Sequence, residues 1–312
     1  MGGSGGGSSW SSSNSSDEIN QLLRRATDSI EGASYNSEVN SLLQNALKEF
    51  NAREAEVTQR HLNVLKEAIE REIENSVDLL FGGSIRKNTF INGLSDVDAL
   101  VLVNNTSLEK KSPQEVLEYF EQRIKQRLSN TNVDVGKLAV TVRYSDGQEI
   151  QLLPAIRTKT GFKISNPDEG SWSNVVRPES FARKLTAVNQ ALSGRVVPTI
   201  KLFKSIIDKT IPKNLKISGY HAESMAIEAF KNYQGKTTSK DMLLHFCREA
   251  TNLVKSPIQD KTGQSLHVDD YLGVKNSQDR IKTSKFLERL TKQMESSDNL
   301  KSLTKWQEWF SE

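Results

Sequence analysis

The chain has 312 residues, 36% apolar and 26% charged, a mean hydropathy of -0.55 and a formal charge of +3, which is a soluble globular composition with room for one large or two modest domains. Collagen-like, disulfide-rich and mostly disordered chains are excluded, and so is a helical membrane protein, because the longest clean apolar run is the five residues Ala99 to Val103. The single Cys247 makes neither an internal disulfide nor a zinc cage, which with the missing signal peptide predicts a reducing, cytoplasmic setting, and a charge so near zero gives no strong nucleic-acid signal, so any polyanion site must be local.

Residues 1–16, MGGSGGGSSWSSSNSS, predict a flexible Gly/Ser tail with almost nothing to bury. Residues 17–75 predict two or three amphipathic helices. Leu22, Leu23 and Ile30, then Leu42, Leu43, Ala46 and Phe50, then Val57, Leu62, Leu65, Ile69 and Ile73 recur at spacings of three and four. Val77 to Phe81 and Val97 to Val103 read as strands, and 113–128 as a helix. Leu138 to Tyr144 and Glu149 to Pro154 read as two strands joined at Ser145-Asp146-Gly147. After Pro178 the β signal stops. Segments 179–192, 196–209, 219–233, 238–255 and 279–310 predict helices, with a loop over 256–278. A mixed α/β unit at 75–178 is thus followed by a helical domain at 179–312.

The sharpest constellation is Gly83-Ser84, eleven further residues, then Asp96-Val97-Asp98-Ala99. Carboxylates at i and i+2 of a strand project to one side, where they suit hard divalent cations. A Gly-Gly-Ser turn exposes N–H groups and a hydroxyl to phosphate oxygens. Either half alone is an ordinary surface feature. Joined, they are the apparatus of two-metal phosphoryl or nucleotidyl transfer. A second signal is local charge: Phe181 to Lys216 holds eight Lys and Arg against one acid, Asp208. Beside the carboxylate motif, this favours phosphate binding over a merely solvated basic face.

GGSIRKNTFINGLSDVDAL resembles the signature of the DNA polymerase β-like nucleotidyltransferases, and within them the cGAS/DncV-like enzymes of bacterial antiphage (CBASS) signalling. The resemblance continues through QLLPAIRT at 151–158, WSNVVRPESFA at 172–182, VPTIKLFK at 197–204 and SGYHAE at 218–223. It implies an α+β, two-lobed fold with a mixed β-sheet palm and a C-terminal helical domain, N-terminal helices packed across the lobes and the donor triphosphate between them. Carried over by residue, Gly83 and Ser84 hold the triphosphate, and Asp96 and Asp98 hold Mg2+ or Mn2+. Lys201 and Lys204 reach the β- and γ-phosphates, Ser218 bonds the triphosphate, and Tyr220 offers its ring to a base.

One position departs from the pattern. The family's third acid stands three residues before the Pro of the strand, and here that residue is Gln151. Glu149 shares its face but lies about 6.7 Å back along the strand. Either deprotonation of the acceptor hydroxyl relies on metal and solvent, or a bulge repositions Glu149, or the enzyme is impaired. The implied function is synthesis of a cyclic di- or trinucleotide second messenger from NTPs, ATP among them. The messenger would activate a separate effector protein, with room for a regulatory protein partner and no role for a membrane. Two alternatives are a nucleotidyltransferase acting on tRNA or protein, and a catalytically silent nucleotide sensor. His61, His221, His245 and His267 show no metal-ligand spacing, Asp269-Asp270 lies far from the carboxylate motif, and Trp306, Trp309 and Phe310 predict a helix docked on the body.

Overall fold

The computed structural model describes residues 14–52, 55–71, 73, 76–81, 97–166, 169–212, 214–260 and 266–310. Helix α1 (Asn14–Ala52) begins inside the segment read as a tail, and residues 1–13 lie outside the described residues. Among its described side chains Ile30 is exposed, and the first buried one is Tyr35. Helix α2 spans Ala55–Glu70.

The sheet comprises β1 (Asp78–Phe81), β2 (Val97–Leu102), β3 (Asn132–Val135), β4 (Val140–Arg143), β5 (Glu149–Arg157), β6 (Phe162–Asn166) and β7 (Ser171–Trp172). Its order is β1-β2-β5-β4-β3, with β6 pairing the far half of β5 and β7 pairing β6. Pairing is antiparallel except between β2 and β5. That parallel join is reached through α3 (Pro113–Arg127), which starts at a capping box between Ser112 and Glu115 with Pro113 in its first turn. Gly147 takes the φ of +87° that the β4–β5 turn requires. Strands β3, β6 and β7 were not expected from the sequence. They are short, and β6 carries Lys163 and Ser165 among its apolar residues.

Two large cores result. One face of the sheet (Ala99, Val101, Val140, Val142, Ile150, Leu152) packs on Leu62, Leu65 and Ile69 of α2 and Val116, Leu117 and Phe120 of α3. The opposite face carries a smaller cluster around Leu100, Leu102, Ala155 and Phe162. The other large core joins α1 to α4 (Pro178–Ala191), α5 (Val196–Thr210), α6 (Gly219–Phe230), α7 (Ser239–Leu253), α8 (Gln278–Asn299) and α9 (Leu303–Glu308). The N-terminal helices are therefore divided: α1 shares the helical core and α2 the sheet core. Among the described residues no helix is long and apolar enough to cross a membrane.

The single helix expected over 279–310 is two. Lys301 takes φ +47°, Ser302 caps α9, and the turn carries Trp306 inward until it is fully buried. Its Nε1–H donates to the Tyr35 hydroxyl at 2.8 Å. Tyr35→Phe orphans that buried donor, so the variant should lose about 1–3 kcal/mol of stability. A urea midpoint shifted down at unchanged slope checks it.

Candidate active site

The parallel register sets Val97 beside Ile150, Asp98 beside Gln151 and Ala99 beside Leu152. Position 98, where β2 opens, thus stands next to position 151 on the central strand. Gly83, Ser84 and Asp96 lie outside the described residues, and of Asp98 only the backbone is described.

Gln151 is part of a polar row that crosses three strands. Arg143 on β4 pairs with Asp134 on β3 and, at 2.7 Å from its Nε, with Glu149 Oε2 on β5. The other Glu149 oxygen lies 3.5 Å from Gln151 Nε2. The pairing of β4 with β5 runs unbroken from Arg143↔Glu149 through Thr141↔Gln151 to Val140↔Leu152. Glu149 therefore stays two residues back, with its carboxylate engaged by Arg143. The turn before it is fastened to α2. The His61 ring stacks on Tyr144 at 3.6 Å with Nε2 2.9 Å from Asp146, and Gln148 Nε2 donates to Thr58.

In the helical lobe the structure gathers Lys204, Ser218 and Tyr220 around the start of α6. Lys204 is buried, its Nζ 2.7 Å from Glu223, which is 1% exposed. The same ammonium lies so close to Gly219 that an added Cβ would meet it at 3.3 Å. Lys201, one step earlier on α5, is half-buried; burial and then the neighbouring Lys204 charge hold its pKa below the usual lysine range. Ser218 caps α6, its Oγ accepting from His221 N at 3.1 Å, and its side chain also bonds the Tyr271 hydroxyl. Tyr220 donates to Asp260 at 2.7 Å and sets its ring edge-on to Phe181.

Other candidates are structural. Asp269 is fully buried against Arg280, and His245 Nε2 lies 2.9 Å from the Ala229 carbonyl. Among the described residues no group of three or more His, Cys, Asp or Glu could hold a metal ion. Sequence reasoning missed the partners that engage this site: Glu223 closes the SGYHAE segment but was not singled out, and Arg143, Asp260 and Tyr271 lie outside the quoted motifs.

Residues 34–189 match the family described as the Second Messenger Oligonucleotide or Dinucleotide Synthetase domain. No curated protein matches the chain. Among similar solved structures, CdnG of Bradyrhizobium diazoefficiens in complex with GTP has a TM-score of 0.64 at 13% identity, covering 86% of this chain and 94% of that one. The Vibrio cholerae DncV cyclic AMP-GMP synthase has a TM-score of 0.63 at 10% identity, covering 95% and 90%. CdnC of E. coli MS115-1 with ATP has a TM-score of 0.60 at 15% identity, covering 82% and 90%. At these identities the likeness is one of fold.

Proposed function

We propose, because this chain belongs to the Second Messenger Oligonucleotide or Dinucleotide Synthetase domain family, that it joins nucleoside triphosphates into a cyclic di- or trinucleotide messenger in antiphage defence. The observation that carries the reading is the side-by-side register of Asp98, from the Asp-Val-Asp motif, and Gln151 on the central strands of the sheet. Asp96, Asp98 and Gln151 offer oxygen donors only, which fits a hard divalent cation such as Mg2+ or Mn2+. When bound, that metal supplies charge neutralisation at the α-phosphate and the departing pyrophosphate.

The chain's own residues supply position. Gly83 and Ser84 cradle the triphosphate, Lys201 and Ser218 meet it from the helical lobe, and Tyr220 flanks the base. A ribose 2′- or 3′-oxygen of one nucleotide attacks the α-phosphorus of the other. The new O–P bond forms as the bond to pyrophosphate breaks, and the hydroxyl proton passes to solvent. A second such step, with a second pyrophosphate leaving, closes the ring of a dinucleotide. Structures of relatives with ATP or GTP support these substrates.

A second reading, a nucleotide sensor without turnover, is favoured by Gln151, which is neutral, and by the engagement of Glu149 with Arg143. Pyrophosphate release from the four mixed NTPs with Mg2+ separates the two: release supports the enzyme, and NTP binding without release supports the sensor.

The two lysines should behave differently. Lys201→Ala removes a charge-assisted phosphate contact of about 1.5–3 kcal/mol and should weaken NTP binding by roughly ten- to a hundredfold at little cost in stability. Lys204→Ala removes the ammonium paired with the buried Glu223 carboxylate and should lower the urea midpoint as well. Equilibrium titration with NTP, alongside urea unfolding of each variant, checks both. Unchanged NTP affinity in Lys201→Ala would remove Lys201 from the phosphate site.

A further inference from the structure

Behind Ser218 lies a chain of buried polar groups that the nucleotide motifs do not include. The Ser218 backbone N–H donates to the Tyr271 hydroxyl at 3.0 Å. That hydroxyl stands 2.9 Å from His221 Nδ1, and His221 is fully buried. His221 Nε2 stands 3.3 Å from Asp269 Oδ2, an electrostatic contact without hydrogen-bond alignment. Asp269 is itself fixed by Arg280 Nη1 at 2.6 Å and by the Ile258 N–H at 3.0 Å. Arg280, also fully buried, donates further to the carbonyls of Val254, Asp269 and Gly273.

The directions of these bonds follow from one donor. Because the Tyr271 oxygen accepts from Ser218, its own proton is left for His221 Nδ1. In that arrangement Nδ1 accepts, and Nε2 faces the Asp269 carboxylate without an aligned hydrogen bond. Burial keeps the ring neutral, pushing its pKa down to about 4 against the pull of Asp269. Tyr271 is no nucleophile or base here, since burial raises its pKa above the ordinary phenol value.

We infer that Tyr271 is a positioning residue for the triphosphate end of the nucleotide site: its hydroxyl, oriented through His221 by the buried Asp269–Arg280 pair, holds the Ser218 backbone and so aims the hydroxyl that caps α6. The inference rests on the proposed role of Ser218 in NTP binding. It also gives the short 3-10 turn Asp270–Leu272, which carries Tyr271 just after Asp269, a task beyond connecting α7 to α8. Tyr271 suits that task because its hydroxyl is tied down in this way while the residue as a whole remains 43% exposed.

Tyr271→Phe tests this, because it keeps the ring and deletes the hydroxyl. NTP binding to the full chain, measured by equilibrium titration with a non-hydrolysable NTP, should weaken by about three- to tenfold, the scale of one lost hydrogen bond. In turnover, KM should rise by the same factor while kcat stays within about twofold, the signature of lost uniform binding. A merely structural role would instead lower the active fraction and kcat at constant KM. Ser218→Ala and Tyr271→Phe should be non-additive, the double variant binding about as weakly as the worse single one. Should Tyr271→Phe compromise folding, His221→Gln tests the same link: faster amide exchange at Ser218 is expected, and exchange at the parent rate would overturn the inference. Parent-like NTP affinity in a folded Tyr271→Phe, or additive losses with Ser218→Ala, would overturn it as well. A parent protein that binds no NTP would overturn the nucleotidyltransferase reading beneath it, which keeps the two failures distinct.

Discussion

Replacing both Asp96 and Asp98 by Asn should abolish pyrophosphate release, a loss of at least about 10³-fold or about 4 kcal/mol of transition-state stabilisation. The amides keep the shape of the carboxylates but not the charge that a divalent cation and a pentavalent phosphorus require. The fold should scarcely notice. Strand β2 is held by Ala99 and Val101 on the face packed against α2 and α3, and by Leu100 and Leu102 on the other. Those apolar contacts persist in the double variant, so the melting temperature should stay within about 2 °C. Pyrophosphate release measured beside thermal unfolding checks both halves. Full turnover in the double variant would end the enzyme reading, whereas loss of turnover with a collapsed melting curve would show that the motif serves the fold.

The second large effect concerns Gln151. Its register beside position 98 puts an amide where the resemblance implies a third acid, and an amide takes no proton near pH 7. Glu149 is poorly placed to substitute. It remains in unbroken register two residues back, and Arg143, itself paired with Asp134, engages its carboxylate. Gln151→Asp shortens the side chain but supplies a base. Since general-base catalysis contributes ~10²- to 10⁴-fold, the variant should run faster by a measurable part of that range. Gln151→Ala should fall sharply if the amide oxygen orients the metal or the acceptor hydroxyl, and Glu149→Gln should stay within about twofold, roughly 0.4 kcal/mol. Initial rates of the three variants distinguish these roles. A dead Glu149→Gln with a fully active Gln151→Ala would make Glu149 the third catalytic group and refute the assignment of position 151.

How far the sequence could be read depended on whether the physics was local. The helices after Pro178 were legible from periodicity, and β1, β2, β4 and β5 from apolar runs bounded by turn residues. Strands β6 and β7 escaped because what makes them strands is pairing: β6 takes over the edge of β5 that β4 leaves after Leu152. The apolar stripes of α1 and α2 were visible, but nothing local says that one joins the helical core and the other the sheet. The Asp-Val-Asp motif and the Gln at 151 could be picked out in the sequence, but the adjacency of positions 98 and 151 needed a parallel pairing that neither announces. The pairing of Lys204 with the buried Glu223 of the SGYHAE segment was not legible either, because it forms only when α5 and α6 pack together. The Asp269–Arg280 pair was invisible for the same reason: its two residues come together only when the loop before α8 folds back on that helix.

Ring closure is what separates a messenger synthase from a tagging enzyme or a silent sensor, and it can be measured on the purified protein. The protein is incubated with all four NTPs and Mg2+ or Mn2+, the mixture is digested with phosphatase, and what survives is identified by mass spectrometry. A small phosphatase-resistant cyclic di- or trinucleotide is expected, absent from the Asp96→Asn/Asp98→Asn variant and accompanied by no label in RNA or protein. Label confined to a macromolecule, or NTP bound and recovered unchanged, would contradict the synthesis of a cyclic messenger by this chain.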